Sequence, residues 1–254
     1  VSQIAPPTYN GEPQTAAVIK LYSSYGKQNA TFTYSSTQAG TYSESIPAFT
    51  DAGTYTVYYK VNAANHNETT GSFNVTIDQK DISDAVITLG DQLTYNGLEQ
   101  TQTISSVVVD NLPVTYTIAD NKATDAGDYE LTVTATGNFK GTKKVSFTID
   151  PKLITITFDK NSEDDIDIKE ETRSISIGND NTNYGSEFET LDRTGYSFIG
   201  WTKAKDNTDF VKYTDILLGT TEDHTLYAKW YEDVDSEVHG ASGNTYTIVD
   251  ADNV

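Results

Sequence analysis

The sequence predicts an all-β chain of small modules in tandem, and three observations carry that expectation. First, the chain repeats itself: Thr50-Asp51-Ala52-Gly53-Thr54-Tyr55 returns as Thr124-Asp125-Ala126-Gly127-Asp128-Tyr129, 74 residues later. Second, each copy runs on into alternating apolar residues, Tyr55, Val57, Tyr59, Val61 and Tyr129, Leu131, Val133, Ala135, which is strand spacing. Third, Thr and Tyr are plentiful, Met and Cys are absent, and no long apolar pattern of period 3.6 occurs. An Asp-x-Gly turn leading into a tyrosine at a strand entrance is the sequence form of the tyrosine corner of immunoglobulin-like sandwiches, where the phenol hydroxyl ties back to turn backbone. An immunoglobulin domain places cysteine two residues after that tyrosine. Val57 and Leu131 stand there, so the core must close by burial alone.

At 254 residues the chain has room for two or three small domains, and the internal period favours that division. Seventeen basic against 37 acidic side chains give a formal net charge of -20. Phosphate binding needs clustered Lys and Arg, so nucleic acid is excluded as a partner. The acidic excess runs through every segment and predicts a solvated, self-repelling surface and a monomer that avoids anionic membranes. No apolar run is long enough to span a bilayer, so no membrane insertion is expected. Without cysteine there is neither a disulfide framework nor a thiolate metal site.

In chain order, residues 1–78 open with the turn signal Tyr9-Asn10-Gly11, matched by Tyr95-Asn96-Gly97 in residues 79–150. The last strand reads Phe73, Val75, Ile77 in the first copy and Val145, Phe147, Ile149 in the second. Tyr55 to Phe73 and Tyr129 to Phe147 are both 18 residues, which predicts one common register for the final two strands. The copies differ in the middle. Aligning Thr31-Phe32-Thr33-Tyr34 with Thr115-Tyr116-Thr117-Ile118 leaves the first copy with a polar insert between Ser36 and Phe49 that carries Tyr42. The connections Asp78-Gln79-Lys80-Asp81 and Asp150-Pro151-Lys152 lack glycine, so the modules should form a semi-rigid, elongated array. Residues 151–231 form a third module, and residues 232–254 read as an acidic linker or the start of a further one.

Both copies resemble the MBG-type repeats of bacterial surface proteins: Tyr-Asn-Gly near the start, Asp-Ala-Gly-x-Tyr in the middle and, in the second, Gly137-Asn138-Phe139-Lys140-Gly141-Thr142 before Phe147-Thr148-Ile149. The first copy departs there, with Ala63-Ala64-Asn65-His66-Asn67-Glu68. In the third module, Arg193-Thr194-Gly195-Tyr196-Ser197-Phe198-Ile199-Gly200-Trp201 and His224-Thr225-Leu226-Tyr227-Ala228-Lys229-Trp230, with Tyr184-Gly185 between, are similar to the internalin-type B repeat, also called the Listeria-Bacteroides repeat. That likeness implies a β-grasp-like, mostly β, α+β module, with Tyr196, Phe198 and Trp201 packing against Leu226, Tyr227 and Trp230. Together the resemblances imply a non-enzymatic stalk or spacer in a bacterial cell-surface or secreted adhesin-like protein. The chain is then expected to be an internal fragment, extracellular, without its own signal peptide or anchor.

Candidate site residues are few. His66, His224 and His239 lack neighbours at ligand spacing and read as turn or strand-end residues, so no catalytic group and no cofactor site is assigned. Asp159, Asn161, Glu163, Asp165, Asp167 and Glu170 fall at the oxygen-donor positions of a calcium loop. However, Asp164 replaces the turn glycine and no flanking helices are expected, which favours a solvated acidic hairpin. Tyr22 and Tyr25, in Leu21-Tyr22-Ser23-Ser24-Tyr25-Gly26, and Tyr42 share the Tyr/Ser/Gly composition of antibody paratopes. They define the alternative reading, an adhesin module contacting a glycan or a host protein, against a plain one in which Tyr22 and Tyr42 cover a strand edge and Tyr25 tips a hairpin.

Overall fold

The computed structural model describes residues 1–19, 30–169, 171–179, 188–203, 205–206 and 221–233, and among them every regular element is a strand. The chain divides into two units. One comprises Val1–Leu93, Glu99–Ala123 and Gly127–Ile149; the other comprises Thr94–Leu98, Thr124–Ala126 and Asp150–Val254.

In the first unit, the first module centres on a three-stranded antiparallel sheet of Ala30–Ser35, Gly53–Ala63 and Thr69–Ile77. Two short pairs face it, Ser2–Gln3 with Val18–Ile19 and Gln14–Thr15 with Ala48–Phe49. Between them lies a core of Ala16, Phe32, Tyr34, Val57, Phe73 and Val75. The second module is the fuller sandwich. Four strands run in the order Leu93–Thr94, Thr142–Asp150, Gly127–Ala135, Tyr116–Ala119, and three in the order Leu112–Pro113, Ile104–Val109, Val86–Leu89. The Ile104–Val109 hairpin turns through Asp110 and Asn111, both at positive φ (48° and 63°), the conformation that two-residue hairpins demand and that these residue types tolerate. Val57 and Leu131, at the position where an immunoglobulin domain has cysteine, are both fully buried. Burial alone closes the core.

The local motifs do what their chemistry predicts. In both Tyr-Asn-Gly turns the asparagine Oδ1 accepts a backbone N–H two residues on, Glu12 and Leu98, each at 2.9 Å, and the glycine follows at φ of 82° and 78°. Both tyrosines donate their backbone N–H to an aspartate carbonyl, Tyr9 to Asp78 just past Thr69–Ile77 and Tyr95 to Asp150 at the end of Thr142–Asp150, each at 2.8 Å. At the tyrosine corner, Tyr55 donates its hydroxyl to the Asp51 carbonyl at 2.8 Å. That bond lies at the surface rather than in the core, because the Tyr55 ring stacks on Phe49 (4.1 Å, 10°) at the rim of the sheet. The alignment across the insert also holds: Tyr34 faces Tyr59 as Ile118 faces Val133, 74 residues on.

The register of the last hairpin does not hold. Tyr55 pairs with Val75, whereas Tyr129 pairs with Phe147, the counterpart of Phe73. The second copy is therefore shifted by two residues, which keeps every side chain on its face. The turn explains the shift. The first copy bends at Asn65 (φ 65°), while the second uses Gly137 (φ 64°) and Gly141 (φ 98°), and the loop so formed pairs Phe139–Lys140 in parallel with Lys80–Asp81.

In the second unit, four strands form a mixed sheet in the order Thr172–Ile177, Lys152–Asp159, His224–Glu232, Tyr196–Thr202. The central pair is parallel and both outer pairs are antiparallel, as a β-grasp-like sheet would have them, but no helix accompanies it among the described residues, so the α+β part of that expectation is not met there. Ile154, Ile156, Ile175 and Leu226 fill one face with Trp201 and Trp230. A bulge between Phe198 and Gly200 (φ 144°) lets Phe198 and Trp201, an odd number of residues apart, face the same side. Phe198 meets Trp230 at 5.4 Å and Trp201 at 5.6 Å, and Phe158 meets Trp201 at 4.8 Å. Tyr227 is the exception among the expected aromatics. It alternates to the other face from buried Leu226 and Ala228, where Lys205 lies 5.9 Å over its ring. Both indole N–H groups are satisfied, Trp201 by the Glu189 carbonyl at 2.9 Å and Trp230 by the Lys160 carbonyl at 2.8 Å.

Candidate functional site

The polar insert of the first module folds along the free edge of Ala30–Ser35. Ser43 exchanges backbone hydrogen bonds with Tyr34 at 2.7 and 2.9 Å, and Ala48–Phe49 pairs with Gln14–Thr15. Tyr42 sits on this flap with its hydroxyl donating to the Gln38 carbonyl at 3.0 Å, and Lys60 reaches over its ring at 4.7 Å. Both of these contacts are with residues of its own module. Tyr22 and Tyr25 lie outside the described residues, so no geometry joins them to Tyr42.

The acidic run after Asp159 is a fixed loop. Asp159 Oδ1 accepts the Asn161 N–H at 2.8 Å, and Asn161, at φ 48°, sends its side-chain amide to the carbonyls of Lys205 (3.0 Å) and Ala228 (3.1 Å). Asp164, standing where a calcium loop needs glycine, takes Arg193 Nε at 2.6 Å and is supported by the Ser162 hydroxyl at 3.1 Å. These partners hold its carboxyl below the usual carboxylate range, Arg193 first and Ser162 second. Ile166 then plugs the loop against the module. Asp159, Asp165 and Asp167 border an open depression of about 880 Å3, together with Lys160, Thr172 and Tyr227. The candidate donors are not drawn into a cage: among the described residues no group of three or more His, Asp or Glu could hold a metal ion. Glu170, the last of the six, lies outside them.

Arg193 is the residue that sequence reasoning passed over. Its guanidinium lies 3.5 Å from the Tyr196 ring centroid and 5.6 Å from that of Trp230 while it binds Asp164, so one side chain joins the acidic loop to the aromatic core. The available signal was its rarity: Arg173 and Arg193 are the only arginines of the chain. His66 lies in the turn between Gly53–Ala63 and Thr69–Ile77, and His224 opens the strand His224–Glu232, as strand-end and turn residues do. Burial pushes the His224 imidazole below its ordinary value, although its Nδ1 lies 3.1 Å from the Glu222 carbonyl. His239 is outside the described residues.

Residues 155–229, which span nearly all of the third module, match the Listeria-Bacteroides repeat domain. That repeat is found in bacterial surface proteins. No curated protein and no solved structure matches the chain.

Proposed function

We propose that the chain is a stretch of a bacterial surface or secreted protein, and that its modules serve as a non-enzymatic spacer holding another part of that protein away from the cell. On this reading the first two modules are MBG-type repeats and the third is a repeat of the internalin type. The observation that carries it is the match of residues 155–229 to a repeat of surface proteins, preceded by one sandwich used twice. The connections support it. Asp78 is bonded to Pro7 and Tyr9, and Lys80–Asp81 is paired as a strand, so the linker between the first two modules is built into the fold. A spacer needs stiffness at its joints and asks for no converging side chains.

Small-angle scattering of the 254-residue chain tests the reading. Three modules with strands of about seven to ten residues, joined end to end, should reach on the order of 100 Å. A scattering curve for a compact globule would refute the spacer. The adhesin alternative predicts retention on glycan or matrix-protein arrays that is lost when Tyr22, Tyr25 and Tyr42 are replaced together by Ala.

A further inference from the structure

The Asp-Ala-Gly turn that opens the tyrosine corner of the first module is occupied. Its Ala52 N–H donates to Asn138 Oδ1 at 2.8 Å, and Asn138 Nδ2 donates back to Asp51 Oδ1 at 2.9 Å. The turn offers a donor and an anionic acceptor side by side. A primary amide complements both at once, which a carboxylate, a hydroxyl or an ammonium cannot do with the same two atoms. Around this pair the second module continues the contact. Buried Phe139 receives the Tyr9 ring of the first module edge-on at 5.4 Å, and Gln79 Nε2, from the connection, braces the same loop by donating to the Gly137 carbonyl at 2.8 Å.

Two comparisons within the chain show that this is more than incidental packing. The residue 74 positions before Asn138 is Ala64, so the amide is not repeated at that position of the first module's loop. In the second unit the corresponding turn is again a donor, with Ala126 N–H giving 2.6 Å to the Gly178 carbonyl. A backbone carbonyl there takes the place of the asparagine oxygen. At the first junction, then, the motif residues that identify a sandwich bind a residue of the following module.

We propose that the Asp-Ala-Gly turn of the first module is a docking socket for the second, and that Asn138 is the residue that specifies the fit. The partner chemistry is a loop that presents a carbonyl oxygen to the alanine N–H and an N–H to the aspartate. The proposal rests on the tandem reading and adds to it how one module recognises the next.

Amide hydrogen exchange in the full chain tests it. Asn138→Ala removes one hydrogen bond from Ala52 and should raise exchange at that amide about tenfold, with the core amides of Val57 and Leu131 unchanged. Asn138→Asp keeps an oxygen for Ala52 but sets a second carboxylate against Asp51. Protection at Ala52 should therefore fall at neutral pH and return on acidification, when the pair shares a proton and can hydrogen-bond again. Wild type should show no such recovery. Unchanged Ala52 exchange in Asn138→Ala, or core amides loosening with it, would overturn the socket. If neither variant folds, Asp51→Ala on the exposed turn decides: the socket requires faster exchange at Ala52, and an unchanged rate overturns it. A compact scattering curve with the Ala52 response intact would refute the spacer and leave the socket standing.

Discussion

Tyr55 allows the tyrosine corner to be separated into a hydroxyl and a ring. Its hydroxyl makes one bond, to the Asp51 carbonyl at 2.8 Å, at a surface position where water can replace it. Tyr55→Phe should therefore cost only about 0.5 kcal/mol, the low end of the net worth of a hydrogen bond, because no acceptor is left dry. The ring is the larger contribution. It stacks on Phe49 at 4.1 Å and 10°, and Tyr55→Ala forfeits that pair, about 0.5–1.5 kcal/mol, together with the apolar area of a half-buried ring. A total of about 2–3 kcal/mol is expected for the alanine variant. With a urea slope of about 1 kcal/mol/M for a small sandwich, the midpoint should fall by about 0.5 M for Phe and about 2–3 M for Ala. Circular dichroism reads both. A Phe variant losing as much as the Ala variant would show that the hydroxyl bond is in effect buried and that the solvent argument is wrong. Equal midpoints for all three would show that the corner contributes nothing.

Two further predictions use the fact that the only tryptophans, Trp201 and Trp230, both belong to the third module, so tryptophan emission follows that module alone. Arg193→Ala should lower its stability by about 0.5–1 kcal/mol through loss of the guanidinium stacked on Tyr196, the exposed Asp164 pair adding little, and Arg193→Lys should recover less than half, since an ammonium cannot stack as a planar guanidinium does. Full recovery by Lys would mean that charge alone matters. For His224 the folded imidazole is held below its unfolded value, near 6.5, so the unfolded chain takes up the proton first. The contribution of this residue is whole above about pH 6.5 and is lost as the pH falls below it. The tryptophan-reported midpoint should accordingly decline on acidification from about pH 7.5 to about pH 5, and His224→Gln should flatten that decline; an unaltered slope in the variant would refute the assignment.

Turn chemistry and strand period are written in the residues themselves, because both act over short stretches of chain. Asn10-Gly11 and Asn96-Gly97 form the same Asx turn wherever the chain places them, and alternating residues put Val57 and Leu131 in a core whether or not cysteine is present. The tandem repeat and the all-β class were legible for that reason, as was the alignment of Tyr34 with Ile118. The candidate site residues were legible only as residue types. What Tyr42 touches and whether the acidic run converges depend on Lys60 and Arg193, which are brought in from elsewhere in the chain.

Other features exist only in the folded chain. A two-residue slip leaves every side chain on its own face, so the register difference between Tyr55–Val75 and Tyr129–Phe147 could not be seen in the hydrophobic pattern. The bulge at Gly200 breaks strict alternation, bringing Phe198 and Trp201 to one face, whereas unbroken alternation in His224–Glu232 takes Tyr227 away from them. Asn138 lies 86 residues from the amide that donates to it, a pairing that exists only in the folded chain. Local chemistry specified turns and strands, and contacts between residues far apart in sequence set their register and their partners.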